Sequence, residues 1–367
     1  MIFRVPHLSG DVRTGLRELE GMRSKLGVEA EAIPRWLGTL RRQMKAAAVE
    51  SSVSIEGYAV PEYEGAAIVE AADRVDHIDD DRAAVACYAR AMDHVGVLAL
   101  DPVFEWHERV ILDLHFDVCS FQRDRSPGLW RTGPISVTAP RGGLAYRAPD
   151  ADEVVPLMAE VVRWLRSDAR GEHVVVRAAM AHLHLVSVHP FRDGNGRLAR
   201  IVQSLVLARD GLVLPELGSI EEYLAAHTSE YYAVLQEVQG GRYQPRRSAA
   251  AWVRFCVEAH LAQARDRLCQ LATAAARWGY LEQLVEERGW PDRLVIALEQ
   301  SLVGGADRSS YEREADVSPA TASNDFRRLR DARLVEQRGK GPSVRYEAAG
   351  ALVEQVAQAV HERRARL

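Results

Sequence analysis

The chain is expected to be mainly α-helical, with a helical core carrying one β-hairpin flap and a winged helix-turn-helix at its C-terminal end. Three observations predict this. Apolar residues recur at helical spacing over most of the length, so that each helix can bury one face. Only residues 134–149, PISVTAPRGGLAYRAP, change to strand-like alternation. Beyond about Pro291 a run of short helical segments ends in a basic hairpin, QRGKGPSVRYEA.

From about Pro34 to Arg90 the pattern is helical, with Ala-rich stretches such as QMKAAAVESSVSIEG and EGAAIVEAADRV that hold few strand formers. Helices continue from about His94 to Phe116. Within the hairpin, Ile135, Val137 and Ala139 alternate with polar neighbours. Pro140 to Gly143 supplies the turn, and Leu144 and Tyr146 resume the alternation. Helical spacing returns at 152–167 and at 172–188, where Val175, Ala179, Leu183 and Val186 share a face. After HPFRDGNG a further amphipathic helix spans Arg197 to Arg209, with Leu198, Ile201, Val202, Leu205 and Ala208 inward and Asp210-Gly211 ending it. Past Tyr243 to Arg247 a long helix is expected from Ala249 to Gly279.

Size and composition narrow the field. At 367 residues, with 47% hydrophobic and 27% charged residues, two or three ordinary globular domains are expected. A net charge of -5 confines any nucleic-acid contact to a local patch. The four cysteines, Cys87, Cys119, Cys256 and Cys269, form no metal-spaced cluster, which argues against a disulfide framework or structural zinc. The N-terminal residues meet Pro6, Asp11 and Arg13 before an apolar signal region can form. No later run approaches the roughly 18 apolar residues of a membrane span. A soluble, cytoplasmic protein without membrane partners is the expectation.

The chemistry concentrates in HLHLVSVHPFRDGNGRLARIVQ. Gly194-Asn195-Gly196 lies between a turn and a helix, so its backbone N–H groups can curl into an anion-binding nest at the positive helix end. Glycine permits both the φ angles and the close approach of a phosphate. Arg197 and Arg200, three residues apart, share one face near that same end and can clamp phosphate oxygens. Asp193 is a hard oxygen ligand suited to Mg2+ between phosphates. His189 is the nearby group that titrates near neutrality, and so the candidate base for a hydroxyl nucleophile.

Each residue alone has a plainer role. A histidine beside a proline at a helix end is usually a cap or a packing residue, and His182 and His184 are assigned that way. Gly194 to Ala199 also fits G-x-G-x-x-A with Glu216 about twenty residues on, as a dinucleotide site would require. That motif needs a strand before its first glycine, whereas a helical pattern precedes this one. The chain contains no G-x-x-x-x-G-K-[ST], which excludes a P-loop.

The run His189-Pro-Phe-Arg192-Asp193-Gly194-Asn195-Gly196-Arg197-Leu-Ala-Arg200 resembles the signature of the Fic family, HPFx[D/E]GNGRxxR. The resemblance implies that His189 deprotonates a target hydroxyl and that Asp193 holds Mg2+. Arg192, Gly194, Asn195, Gly196 and Arg197 would bind nucleotide phosphates, and Arg200 would pair with the γ-phosphate of ATP. Gly128-Leu-Trp-Arg131 and Tyr231-Tyr232 also resemble family positions, the tyrosines as nucleotide contacts. Ile135, Val137 and Tyr146 fall where the family places a flap that aligns the target segment as an added strand. Ser52-Val-Ser-Ile-Glu56-Gly57 is similar to the family's inhibitory pattern [S/T]xxxE[G/N], in which Glu56 would occupy Arg200 and spoil the pose of ATP. Without that resemblance Gly57 would be an ordinary helix C-cap.

The C-terminal stretch resembles a winged helix. Ser309 or Ser310 is expected to N-cap its first helix, Ser318-Pro319 starts the next, and Gly339 to Pro342 turns the wing. Between Thr321 and Arg345 there are seven Lys/Arg against three Asp/Glu, a local basic patch. Thr321, Ser323, Asn324 and Arg327 on the recognition helix, with Arg338 and Lys340 in the wing, are the candidate DNA contacts. The expected organisation is an N-terminal helical segment at 1–99, a Fic-like core at 100–245, a connector at 246–289 and a winged helix at 290–367.

The principal expectation is an autoinhibited, Mg2+-dependent enzyme that moves AMP from ATP onto a Ser, Thr or Tyr hydroxyl of a target protein. A DNA-binding regulator that only senses nucleotide is the alternative, and the same site could remove AMP with Glu56 positioning water. Partners on this reading are ATP, a target protein, duplex DNA and a second copy of the chain in a homodimer.

Overall fold

In the computed structural model, which describes residues 1–31, 35–72, 79–138, 144–167, 171–211, 214–339 and 344–364, helices dominate. The first half comprises α1 (Gly10–Glu31), α2 (Arg35–Ile55), α3 (Glu62–Glu70), α4 (Asp80–Leu100), α5 (Glu108–Cys119), β1 (Ser136–Thr138), β2 (Leu144–Arg147), α6 (Ala151–Arg166) and α7 (Val174–Val188). Then come α8 (Asn195–Ala208), α9 (Pro215–Gly218), α10 (Glu221–Ala226), α11 (Thr228–Gln239) and α12 (Ala250–Glu287). The last elements are α13 (Leu294–Leu302), α14 (Arg308–Ala315), α15 (Pro319–Asp331), β3 (Val335–Arg338), β4 (Arg345–Ala348) and α16 (Gly350–Arg364). Two compact units result, one of Met1–Val28 with Gln43–Asp266 and one of Glu29–Arg42 with Arg267–Leu367.

The first unit is built around α7 and α8. Every residue of α7 except Arg177 is buried, as in a helix apolar around its whole circumference. Helix α8 is buried at all positions but Gly196, so the expected amphipathic helix is an interior one. Its polar residues Arg197, Arg200, Gln203 and Ser204 are sealed in as well, because α4 and α5 pack on α8 while α6 covers α7. A buried polar group needs a partner, and these residues form the site described below.

The helical reading of the sequence carries over with shifted limits. The segment expected to be helical from His94 to Phe116 is interrupted at 101–107, and α12 extends eight residues past Gly279 to Glu287. Helix α1 lies in a stretch the spacing had not assigned. No break falls at 99/100 or at 245/246, since one compact unit runs through both points. Helix α4 is long and apolar enough, by length and composition, to cross a membrane, contrary to the sequence reading. Here Ala84 to Ala89 lie in the core against α5 and α8.

The hairpin forms as β1 and β2, with Val137 opposite Tyr146 and a register irregularity after Val137. Its turn, residues 139–143, lies outside the described residues. In the second unit α13, α14 and α15 precede the antiparallel pair β3–β4, and a bridge from Ala306 to Tyr346 adds one more pairing. Phe326 stacks on Tyr346 at 4.1 Å between ring centres, and buried Asp325 accepts from Arg293 and from the Tyr311 hydroxyl. Ser318 caps α15 with Pro319 in its first turn, as the sequence predicts. Helix α14 differs. Asp307, in extended conformation, accepts the Ser310 N–H at 2.8 Å, so the two serines are inside the helix and not its cap.

Three buried histidines of the first unit have a consequence for stability. His182, His184 and His260 are each pushed down to about 3 by burial. His182 holds Gln203 at 2.8 Å and the Tyr231 hydroxyl at 3.0 Å, whereas neither ring nitrogen of His184 has a partner among the described residues. An unfolded histidine titrates near 6.5, so as pH falls the unfolded chain takes up protons that the folded chain refuses. The contribution of these three histidines to stability is therefore fully present above about pH 6.5 and is lost as pH falls from there toward about 3. Denaturation between about pH 7 and pH 4 should show this decline, and His184→Leu should make it shallower. An unaltered slope in that variant would contradict the assignment.

Candidate active site

Helix α7 ends where the chemistry begins. Its carbonyls from Leu185 onward cannot find partners within the helix. The His189 N–H meets the Leu185 carbonyl at 2.9 Å, and the Tyr146 hydroxyl donates to the Ser187 carbonyl at 2.6 Å. His189 itself adopts a left-handed conformation, φ 50 and ψ 59, a strained cap for a residue with a side chain. Its Nδ1 lies 3.2 Å from the Val186 carbonyl. A carbonyl can only accept, so Nδ1 carries the hydrogen and Nε2 keeps its lone pair. Burial, ahead of the other influences on the half-buried ring, moves the His189 pKa below the ordinary histidine value, which leaves the imidazole neutral at physiological pH.

The loop that follows is tied from inside. Asn195 Oδ1 accepts the Phe191 N–H and its Nδ2 donates to the Phe191 carbonyl, both at 3.0 Å. The Asn195 amide thereby staples the loop. Phe191 is fully buried and stacks on His115 at 3.5 Å between ring centres. His115 Nδ1 accepts from Gly128 N–H, so its Nε2 donates to the Asp193 carbonyl at 3.0 Å, and burial pushes its pKa down to about 4. At Gly194 (φ 73) a Cβ would collide with Cys119 Sγ, so only glycine lets α8 start there.

The N–H groups of Asn195, Gly196 and Arg197 open α8 and have no intrahelical acceptor, which makes this end a place for an anion. Arg197 donates to the Val118 carbonyl and to Gln122 Oε1, each at 3.1 Å, while its guanidinium lies 5.1 Å from the Tyr58 ring centre. Gln122 Nε2 donates in turn to Asp193 Oδ2 at 3.0 Å and to the Tyr58 hydroxyl at 2.9 Å. Arg200 is buried. Its Nε donates to Ser52 Oγ at 2.7 Å, and its Nη2 donates to the Ser52 carbonyl at 3.0 Å and to Glu56 Oε1 at 2.8 Å. A Cβ on Gly196 would run into the Glu56 carboxylate, so Glu56 rests directly over the start of α8. Gly57, at φ 89, turns the chain out of α2 immediately afterwards.

Sequence reasoning placed His189, Asp193, Gly194, Gly196, Arg197, Arg200, Ser52 and Glu56 in one neighbourhood, and the fold brings them together. It missed Tyr58, His115, Cys119 and Gln122, which lie outside the motif and carried no signal of their own. Arg192 is exposed on the loop. Tyr232 donates to the Ile55 carbonyl at 3.3 Å, but Tyr231 is 2% exposed and holds His182, so it does not line the open side of the site. Ile135 and Val137 are half-buried on the hairpin, whereas Tyr146 is an inward anchor and not a docking residue.

In the second unit Thr321 and Ser323 spend their hydroxyls on the first turn of α15, and Arg338 pairs with Glu336 and Glu347. Asn324 and Arg327 are exposed, and Lys340 lies outside the described residues.

No cluster of three or more His, Cys, Asp or Glu able to hold a metal occurs among the described residues. Asp193 is a single carboxylate with a side chain 39% exposed. That suits Mg2+, which keeps several waters and takes its other ligands from substrate phosphates.

Residues 98–207 match the Fic/DOC family. This stretch, which holds the whole motif from His189 to Arg200, carries a Fic/DOC domain. It is 30% identical over 136 residues to protein adenylyltransferase fic-1 of Caenorhabditis briggsae, covering 36% of this chain and 24% of the relative. Protein adenylyltransferase Fic of Drosophila sechellia is 29% identical over 237 residues, 62% of this chain and 45% of the relative. The chain thus spans less than half the length of these curated relatives. A Fic family protein from Desulfovibrio desulfuricans G20 has a similar fold, with a TM-score of 0.59 at 20% identity over 95% of this chain and 99% of that one. A Fic domain containing signaling protein from Bacteroides thetaiotaomicron VPI-5482 gives 0.56 at 17% identity, covering 70% and 97%.

The Gly194–Cys119 contact gives a direct test. Gly194→Ala should destabilise the protein by about 2–4 kcal/mol, combining left-handed strain with overpacking. Adding Cys119→Ala should return the packing part and leave about 1–2 kcal/mol. Strictly additive losses in denaturant titrations would mean that the two residues do not meet.

Proposed function

We propose that this Fic domain transfers AMP from ATP to a Ser, Thr or Tyr hydroxyl of a protein, its own side chains included, and that Glu56 restrains it. The observation that carries the reading is the seat of the Glu56 carboxylate. It lies over Gly196 and on Arg200, at a helix start whose free N–H groups favour negative charge. An anionic side chain there stands where a nucleotide phosphate would bind, so the two compete. The curated relatives are named protein adenylyltransferases, which supports the same chemistry.

On this reading the N–H groups of α8 hold phosphate oxygens, and Arg200 exchanges Glu56 for the terminal phosphate. Mg2+ held by Asp193 would neutralise phosphate charge. The target hydroxyl oxygen attacks the α-phosphorus while its proton passes to His189 Nε2. A P–O ester bond to AMP forms, the bond to the β-phosphate oxygen breaks, and pyrophosphate leaves. Ile135 and Val137 on the hairpin would align the target backbone beside β1.

For the second unit we read a winged helix whose exposed Asn324 and Arg327 contact duplex DNA. Binding that weakens steeply with salt and with Arg327→Ala would support this, and no binding at low salt would end it.

Intact mass after incubation with ATP and Mg2+ tests the enzyme. Glu56→Gly should raise self-modification by about tenfold or more, the effect of losing one charge-assisted hydrogen bond. His189→Ala on that background should lower transfer by on the order of 10²–10⁴-fold. Full activity without the imidazole would remove the mechanism. Because the His189 pKa is lowered, the acid limb of the rate should have its midpoint below about 6.5, with full activity above it.

A further inference from the structure

Arg131 lies outside the signature motif and contacts neither the cradle nor the inhibitory helix, yet it is 3% exposed. Its hydrogen bonds all go to main-chain carbonyls. The Arg131 N–H donates to the Pro190 carbonyl at 2.9 Å and Nε donates to the His189 carbonyl at 2.8 Å. Nη1 reaches the Gly133 carbonyl at 2.8 Å, and Nη2 reaches the Pro149 carbonyl at 2.7 Å and the Val188 carbonyl at 3.4 Å.

These acceptors fall into two groups. Val188, His189 and Pro190 form the left-handed turn that carries the base. Gly133 and Pro149 are the two roots of the hairpin, just before β1 and just after β2. One planar guanidinium therefore joins the base and both ends of the flap through a fork of fixed geometry. No carboxylate lies within salt-bridge distance of Arg131 among the described residues, and the charge of Asp150 offsets the cost of burying the guanidinium only in part. Simple filling of that space would be served at lower cost by an apolar side chain. What a buried guanidinium supplies that an apolar residue cannot is several rigidly spaced donors.

We propose that Arg131 is a positioning residue: it sets the His189 imidazole against the hairpin edge that presents the target hydroxyl, without touching nucleotide. The inference rests on the reaction proposed above. The carbonyls of His189 and Val188 stay capped only while the fork is in place. Without it the left-handed turn has no restraint on the His189 carbonyl, and the ring swings relative to the flap. A displacement of about 1 Å at a reacting group can cost on the order of 10²-fold in rate. The phosphate donors of α8 and Arg200 are held by other residues and stay in place.

The test uses the full chain on the Glu56→Gly background, with ATP and Mg2+, reading self-modification by intact mass and ATP affinity by calorimetry. Arg131→Gln and Arg131→Lys should each lower kcat by about 10- to 100-fold. ATP affinity should stay within about threefold of the parent. Lysine should rescue little, because one ammonium cannot span both groups of carbonyls. Unchanged kcat in either variant would overturn the proposal. So would loss of ATP affinity in both, since that would make Arg131 a support of the whole fold. If the Glu56→Gly parent itself transfers no AMP, the underlying reaction fails and not the role of Arg131.

Discussion

An α-helix leaves its own ends unsatisfied, and the site grows out of that constraint at the junction of α7 and α8. Carbonyls at the end of α7 need donors, and N–H groups at the start of α8 need acceptors. The first set is supplied by the protein itself, through the N–H and Nδ1 of His189, the Tyr146 hydroxyl and the Arg131 fork. The second set is left for an anion. The residue that caps one helix therefore sits within a few residues of the donors that open the next.

Burial makes this junction rigid and sets its electrostatics. With α7 and α8 both interior, the polar residues of α8 cannot relax into water, and Arg197, Arg200, Gln203 and Ser204 each hold at least one protein partner. Arg200 shows the consequence most directly. Its guanidinium is almost wholly enclosed and bonded to Ser52 at the end of α2 and to Glu56 just past it, far away in sequence. A guanidinium so enclosed would be a costly uncompensated charge without an anion beside it, and the Glu56 carboxylate supplies that anion.

The network around Asp193 lies on the other flank of the same helix start. Gln122 joins Asp193, Arg197 and Tyr58 through one amide. Tyr58 follows Gly57 directly, so the segment bearing Glu56 touches both flanks of the helix start. Such coupling uses hydrogen bonds that each contribute only about 1 kcal/mol in net terms. They act together because one short turn, made possible by Gly57, carries them.

Whereas α1 and the break at 101–107 are not legible in the order of residues alone, most helices, the hairpin, the start of α15 at Ser318-Pro319, and the clustering of His189, Asp193, Gly194, Gly196, Arg197 and Arg200 are. These depend on local spacing, on turn chemistry and on residues adjacent in the chain, so a single segment carries the information. The pairing of Glu56 with Arg200 was legible only through a motif, since no local rule links residues 144 apart. Tertiary structure decided what each polar group does once enclosed. Asn195 staples the loop, Tyr146 and Tyr231 turn inward, Asp307 in place of the serines caps α14, and His115, Gln122 and Arg131 hold the site from outside the motif. Those roles depend on which donors and acceptors meet when helices pack, and a pattern of residue types along the chain does not encode that meeting.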